Sequence, residues 1–304
     1  MDRAVRRRVA DGRPDAVLAI GEVDTPTVAP TFLYQDSNAG VVLAHQAATG
    51  LAESNLLRAS RELLAERAAE QAERARGAAG VFAMSRWYAD FLVDRHGVAR
   101  DRVVVAPPGI NNPPTAARDP ERPASGRVLF VGTDFAIKGG DLVVEAVRRL
   151  NAGGDRAVRL TVIGPASWPV AGPPPAFVDF RGRVPAPAVR GVYAEHDVFA
   201  MPSRFEGFGI ALAEALVAGV PCVARRAFAM PEIVDEGVTG ALVDSDDPDE
   251  LAAALDGVLA DAEVFGRVAA ARSELTHRYD WRTTASAMVE RIGTTLGGAV
   301  AGAD

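Results

Sequence analysis

Short apolar runs alternate with helix-period segments along most of the chain, the pattern of an α/β protein built on parallel sheets. In the first third, DAVLAI (15–20), PTFLYQ (30–35) and AGVFAMS (79–85) predict buried strands. Before the third of these, ESNLLRASRELLAERAAEQAERAR (53–76) sets leucines at 56, 57, 63 and 64 among many charges. That spacing predicts a long amphipathic helix with one buried stripe. Being charged on both sides, it reads as a surface helix, with a wall of an acceptor cleft as the second reading. The run DRVVVAPPGINNPP (101–114) ends a strand in Pro, Gly and Asn, and the chain stays turn-rich through ERPASG (121–126), which predicts a linker.

The pattern is clearer beyond it. Strands are predicted at RVLFVG (127–132), RLTVIG (159–164), FVDFRG (177–182), DVFAMPS (197–203), VPCVAR (220–225) and GALVD (240–244). Helices are predicted at 140–150, near 187–195, at 210–219, briefly near MPEIVDEG, and at 248–261 behind Asp246 and Asp247. Six βα units at about 30 residues each fill this part, so it makes one complete doubly wound domain. A first domain of the same size needs about 180 residues, and about 108 precede the linker. Three or four strands fit there, in a domain that is small or lacks its beginning. The expected division is therefore an N-terminal Rossmann-like domain over 1–108, a linker over 109–126, a C-terminal Rossmann-like domain over 127–282, and a last helix and tail over 283–304.

Composition narrows the class without changing the fold. At 304 residues, 48% hydrophobic and 24% charged, the chain is a globular one, and it contains no stretch of about 18 apolar residues that could cross a membrane. The basic start MDRAVRRRVADGRPDA lacks the apolar core of a secretory signal. A solvated helix face is its plain reading, contact with an anionic membrane surface the other. One cysteine, Cys222, rules out a disulfide framework and a Cys-based zinc site, and fits a reducing compartment. A cytoplasmic protein is expected, or one peripheral at the inner face of the membrane. The net charge of −7 falls entirely on residues 121–304 and no basic stripe is present, so nucleic acid is not an expected partner. Of 33 basic residues, Lys138 is the only lysine, which suggests a position that wants a compact ammonium.

The stretch PSRFEGFGIALAEALVAGVPCVA (202–224) carries the chemistry. A strand ends, a glycine-rich turn follows, and a helix begins near Gly209. Gly207 and Gly209 allow close backbone approach to a ligand, and the free N–H groups of the helix start form an anion site. Glu206 stands before the helix and Glu214 about five residues inside it, roughly 8 Å along the axis. A ligand with an anion and two clusters of hydroxyls fits, and nucleotide sugars have that shape.

Here the chain resembles glycosyltransferase family 4, a group of retaining GT-B enzymes. The matching motif is Glu206 and Glu214 in the setting P-S-x-x-E-G-F-G-x-x-x-x-E-A-x-x-x-G-x-P-x-V-A. The resemblance extends over 79–290, through GVFAMSRWYADFLVDRHGVARDRVVVAPPGIN, VLFVGTDFAIKGGDLVVEAV, and Trp281 with the helix after it. It implies an α/β GT-B fold, two Rossmann-like doubly wound domains facing a cleft, with the N-terminal one abbreviated. It implies transfer of a hexose from a UDP- or GDP-linked sugar to an acceptor hydroxyl of a saccharide, lipid or small molecule, without cofactor or metal. Glu206 and Lys138 are the implied catalytic residues, Glu206 toward the sugar hydroxyls and Lys138 on the diphosphate. Glu214 would bind the ribose, and Gly207, Phe208, Gly209, Ile210, Gly132 and Thr133 would complete the donor site.

The chain also departs from that family. Thr133 stands where an Arg is common, so half of a cationic clamp is absent unless Arg204 or Arg86 supplies it. Gln35, followed by Asp36, takes the place of a frequent His. These departures support a second reading, a non-catalytic sugar-nucleotide-binding or partner protein on a GT-B remnant; a sugar-nucleotide epimerase is a third. The plain alternatives are that Glu214 is a solvated helix residue, Glu206 a helix-start acid, and Lys138 a surface lysine before a Gly-Gly turn. The apolar neighbours Ile210, Leu212 and Leu216, and the uniqueness of Lys138, favour the ligand roles. DSDDPDE (244–250) lacks the Gly and Glu of a calcium loop and reads as a helix cap. His45, His96, His196 and His277 share no spacing and read as structural.

Overall fold

The structure is a computed structural model that describes residues 12, 14–21, 29–49, 59–153 and 156–301. The basic start through residue 11, and Leu56 and Leu57 of the anticipated helix, lie outside them. The chain divides into two compact units, residues 1–109 with 281–304, and residues 110–280.

The described part of the first unit holds four parallel strands, β1 (Val17–Ile20), β2 (Thr31–Gln35), β3 (Gly80–Ala83) and β4 (Val103–Val105), in the order β1-β2-β3-β4. Helices α1 (Ala39–Thr49) and α2 (Arg61–Gly77) join β2 to β3, and α3 (Arg86–His96) joins β3 to β4. With right-handed crossovers, an order that runs in one direction places these helices on one face of the sheet. The other face presents Phe32, Tyr34 and Phe82, and the chain's last helix, Trp281–Ala301, covers it through Met288 and Ile292. Trp281 meets Tyr34 edge-on at 6.2 Å, and Thr284 Oγ1 donates to Pro107 O at 2.6 Å. The last segment of the sequence thus completes the core of the first sheet.

Two helices of this unit escaped the pattern reading. In α1, AGVVLAHQAAT, the apolar positions do not keep to one face, so no amphipathic signal marks it. The helix α3 was marked by its ends: Ser85 Oγ accepts from Tyr88 N at 3.1 Å, and Gly97 closes it at φ 66°. The buried stripe of α2 also differs from expectation. It is Leu64, Ala68, Ala72 and Ala75 with Gln71, whereas Leu63 is exposed.

The second unit is a six-stranded parallel sheet of β5 (Arg127–Val131), β6 (Arg159–Ile163), β7 (Val178–Gly182), β8 (Val198–Met201), β9 (Cys222–Arg225) and β10 (Gly240–Val243), ordered β10-β9-β8-β5-β6-β7. Around it lie α4 (Gly140–Gly153), α5 (Ala186–Val192), α6 (Ile210–Val217), α7 (Met230–Ile233), α8 (Pro248–Ala260) and α9 (Val264–Arg278); the helix Trp281–Ala301 is α10. The strand order reverses between β5 and β8, and ligands of such sheets bind at the carboxyl ends beside that reversal.

The stretch expected as a linker belongs to this unit from residue 110 onward. What fastens it is Asp197, at the amino end of β8, whose side chain is fully buried. It accepts from Ser125 N at 2.8 Å, Arg127 N at 3.0 Å and Arg118 Nη2 at 3.1 Å, and the Arg118 guanidinium lies 3.5 Å above the Phe265 ring. Burial alone would raise the Asp197 carboxyl pKa, but these hydrogen bonds outweigh it and hold it below the usual value. In the acidic run, Asp247 caps α8 by accepting from Asp249 N, and Glu250 accepts from Asp244 N and Ser245 N.

Candidate active site at the carboxyl edge of the second sheet

The loops that follow β5, β6, β7 and β8 converge on one edge of the sheet. A cavity of about 260 Å³ opens there, lined by Asn112, Thr133, Arg190, Glu214 and the apolar walls Val131, Ile163, Val184, Ala186 and Val189, with Gly132 and Gly164 between them. The two glycines bring backbone against backbone: a Cβ on Gly164, which sits at φ 128°, would lie 2.3 Å from Gly132 O. Glu214 points into this cavity from α6, half-buried, and its Oε2 accepts from Tyr193 Oη at 2.7 Å. Burial raises the Glu214 carboxyl pKa, with the Tyr193 hydrogen bond pulling the other way. Burial and the Glu214 charge raise the Tyr193 phenol well above its usual value, so Tyr193 stays a donor.

Lys138 adjoins the cavity through Gly132, where a Cβ would come within 3.0 Å of Lys138 Cγ. Its Nζ pairs with Glu206 Oε2 at 2.8 Å, and Ser203 Oγ is 3.5 Å from the same oxygen. Both charged side chains are mostly but not wholly buried, 24% exposed for Lys138 and 12% for Glu206. Beside Glu206, Gly209 precedes helix α6 and is held at φ 97° and ψ 44°, with no side chain capping the helix start. Its first N–H groups therefore remain available to an anion. Gly207 and Phe208 are buried in the same turn, and the Phe208 ring packs inward on Tyr279 at 6.1 Å, which leaves the backbone as the surface that turn offers. Ile210 is half-buried at the first position of the helix.

Two arginines hold these loops without joining the site. Arg204 Nη1 and Nη2 donate to Asp141 at 2.7 and 2.9 Å, and its Nε donates to Asp246 at 2.7 Å. Burial works against that charge, yet the two carboxylates hold its pKa above the ordinary value. Arg225 Nε donates to Ser203 O at 3.0 Å, and its guanidinium also pairs with Asp246. Arg204 is thus committed to its own carboxylates and does not replace the Arg missing at Thr133. Phe228, at φ 56°, is the one non-glycine residue with positive φ among the described residues, and its ring meets Phe205, next to Glu206, at 5.4 Å. Such backbone costs on the order of 1–3 kcal/mol and gathers at functional edges.

In the first unit, Gln35 is buried and spent locally: its Nε2 donates to Gly21 O at 3.2 Å and its Oε1 accepts from Tyr88 Oη at 3.0 Å. His96 and His196 are packed inside their units. His96 Nε2 meets Asn38 Nδ2 at 2.9 Å, and His196 Nε2 meets Thr161 Oγ1 at 2.8 Å. Among the described residues, no three His, Cys, Asp or Glu side chains gather as a metal set. No helix among them is long and apolar enough to cross a membrane.

The sequence reading named Glu206, Glu214, Lys138, Gly132 and Thr133, and the fold brings them to this edge. It did not name Tyr193, Arg190 or Asn112. Each comes from a loop or helix remote in sequence, and no local motif marks it.

Comparison with known proteins settles the family. The group 1 glycosyl transferases match residues 125–261. A D-inositol 3-phosphate glycosyltransferase of Paenarthrobacter aurescens is 30% identical over 282 residues, 85% of this chain and 68% of that protein. The chain belongs to the group 1 glycosyltransferases. A protein of the same description from Xylanimonas cellulosilytica is 32% identical over 237 residues, 68% of this chain and 55% of that one. The chain thus spans about two thirds of the first relative and about half of the second. Among solved structures, Anabaena Alr3699/HepE in complex with UDP-glucose superposes with a TM-score of 0.68 at 18% identity, covering 96% of this chain and 81% of that one. The two parallel sheets of this glycosyltransferase are those of the GT-B fold, and sugar transfer is the class of its chemistry. The relatives it matches are named as enzymes.

Proposed function

We propose that this glycosyltransferase moves a hexose from a UDP- or GDP-linked sugar to an acceptor hydroxyl with retention of the anomeric configuration. The observation that carries the reading is that Lys138, paired with Glu206, packs against Gly132, which lines the cavity holding Glu214. The cavity falls just below the range of roughly 300–1,000 Å³ typical of whole small-molecule sites, so it suits a nucleoside, with the diphosphate and sugar lying beyond it. Glu214 takes the ribose hydroxyls. The diphosphate crosses Gly132 and Thr133 toward Lys138 and the start of α6 at Gly209 and Ile210. Glu206 and the backbone of Gly207 and Phe208 receive the sugar hydroxyls.

In the reaction, the bond from the sugar's anomeric carbon to the diphosphate oxygen breaks. A bond from the same carbon to the acceptor oxygen forms on the same face, and the acceptor proton passes to the departing phosphate. Lys138 offsets the charge that develops on that phosphate, a type of interaction whose loss costs about 10²–10³-fold in turnover. Glu206 acts as a hydroxyl ligand, not as the covalent nucleophile of a carboxylate-pair glycosidase. The chemistry proceeds without a metal or cofactor. The acceptor is a hydroxyl-bearing saccharide, lipid or small molecule; the relatives named for D-inositol 3-phosphate make a cyclitol phosphate the first to assay.

Calorimetric titration of the whole chain with nucleoside diphosphates and their hexose conjugates, repeated on Glu214→Ala, tests the donor site. Binding that weakens at least tenfold in the variant supports it. Equal affinity in both proteins removes Glu214 from the ribose and overturns the reading.

A further inference from the structure

The cavity that holds Glu214 has a second charged side chain, and no described residue pairs with it. Arg190, on α5, lines the cavity and has no hydrogen-bond or ion-pair partner among the described residues. Several other arginines of this unit are committed to carboxylates. Arg118 and Arg122 hold Asp197, Arg204 holds Asp141 and Asp246, Arg225 holds Asp246, and Arg226 holds Asp244 and Glu236. A half-buried guanidinium without a carboxylate of its own keeps its N–H groups for a ligand in that cavity.

The cavity's chemistry is polarised. Glu214 offers carboxylate oxygens and can only accept. Arg190 offers N–H groups in a planar fork and can only donate. The apolar side chains Ile163, Val184, Ala186 and Val189 line the rest of it. A complementary ligand combines hydroxyls for the carboxylate, a flat apolar body, and a carbonyl for the guanidinium. Uracil and guanine present carbonyl oxygens, O4 and O6 with N7, where cytosine and adenine present amino groups that also donate. A guanidinium facing an amino group leaves both donors unsatisfied in a confined site, which selects against those bases.

We propose that Arg190 is the base-selecting residue of the donor site, reading the carbonyl edge of the uracil or guanine in the donor proposed above. This rests on the donor-site reading above and adds to it the residue that chooses the nucleotide.

The test titrates UDP, GDP, CDP and ADP against the full chain and against Arg190→Ala, Arg190→Lys and Glu214→Ala, each checked for folding by thermal melting. The unaltered chain binds UDP or GDP at least tenfold tighter than CDP and ADP, as the loss of hydrogen bonds to a charged group implies. In Arg190→Ala the preferred nucleotide weakens about tenfold or more, while CDP and ADP change little, so that the preference shrinks to within about threefold. Arg190→Lys keeps the charge without the fork and loses most of the preference too. Glu214→Ala weakens all four alike, because it acts on the ribose they share. A chain that prefers CDP or ADP, a preference that survives in Arg190→Ala, or one fully kept by Arg190→Lys overturns the assignment of Arg190 and leaves the donor site standing. Failure of the unaltered chain to bind any nucleotide overturns both.

Discussion

The two ends of strand β8 use charge in opposite ways. At the amino end Asp197 is fully buried and saturated, with Arg118, Arg122, Ser125 and the backbone of Arg127 all donating to it. At the carboxyl end the strand runs into Glu206, whose charged partner Lys138 is itself partly exposed, and Arg190, in the cavity with Glu214, has none among the described residues. Charges at the first end complete one another and hold residues 118–127 to the sheet. Charges at the second retain capacity for an outside group. The difference follows from the parallel sheet: most loops at the carboxyl edge, including the one after β8, lead from a strand toward a helix start, so N–H groups and short-range polar side chains collect there.

If this contrast holds, substitutions at the two ends separate stability from catalysis. The largest effect is expected at the amino end. Asp197→Ala strands the buried Arg118 guanidinium and costs about 3–5 kcal/mol, a large part of a domain's stability. Urea unfolding should show this as a lower midpoint, while donor affinity of the remaining folded protein is unchanged. Lys138→Ala should do the reverse: turnover falls by about 10²–10³-fold, whereas the unfolding midpoint moves by no more than about 1 kcal/mol, since the pair is partly solvated. Steady-state rates beside the same unfolding curves make that comparison.

Two smaller effects sharpen it. Tyr193→Phe removes the donor that positions Glu214, and donor affinity should weaken about 3–10-fold, the value of one hydrogen bond. Tyr193 also draws the Glu214 pKa down, so its removal lifts that pKa further. Affinity that depends on the carboxylate then falls off at a higher pH in the variant, a shift that loss of packing alone would not produce. The smallest effect belongs to His196, next to Asp197. Burial lowers its pKa below the ordinary value near 6.5, so the unfolded chain binds the proton more readily. Stability from this residue is full above that value and is lost as pH falls below it. Thermal melts between pH 7 and pH 5 should show a shallow decline that His196→Gln flattens.

Most of the second unit was legible along the chain because its signals are local. Each strand is a short apolar run, each helix is periodic, and the turn from Pro202 to Gly209 concentrates two glycines and a glutamate within a few residues. Lys138 stood out as the only lysine. Less of the first unit was legible. The helix α1 carries no clear polar face, and the buried stripe of α2 is mostly alanine, whose presence in a surface helix reveals nothing.

The sequence by itself determined the alternation of strands and helices, the motif around Glu206 and Glu214, and the family these imply. Only the tertiary structure decided that Tyr193 orients Glu214, that Arg204 is bound to Asp141 and Asp246 and unavailable to the site, and that Arg190 lines the cavity without a partner among the described residues. It also decided that the last helix covers the first sheet. The physical reason is range. Periodicity and turn chemistry act over a few residues, whereas a charge acquires its partner from whichever loop the sheet order brings beside it.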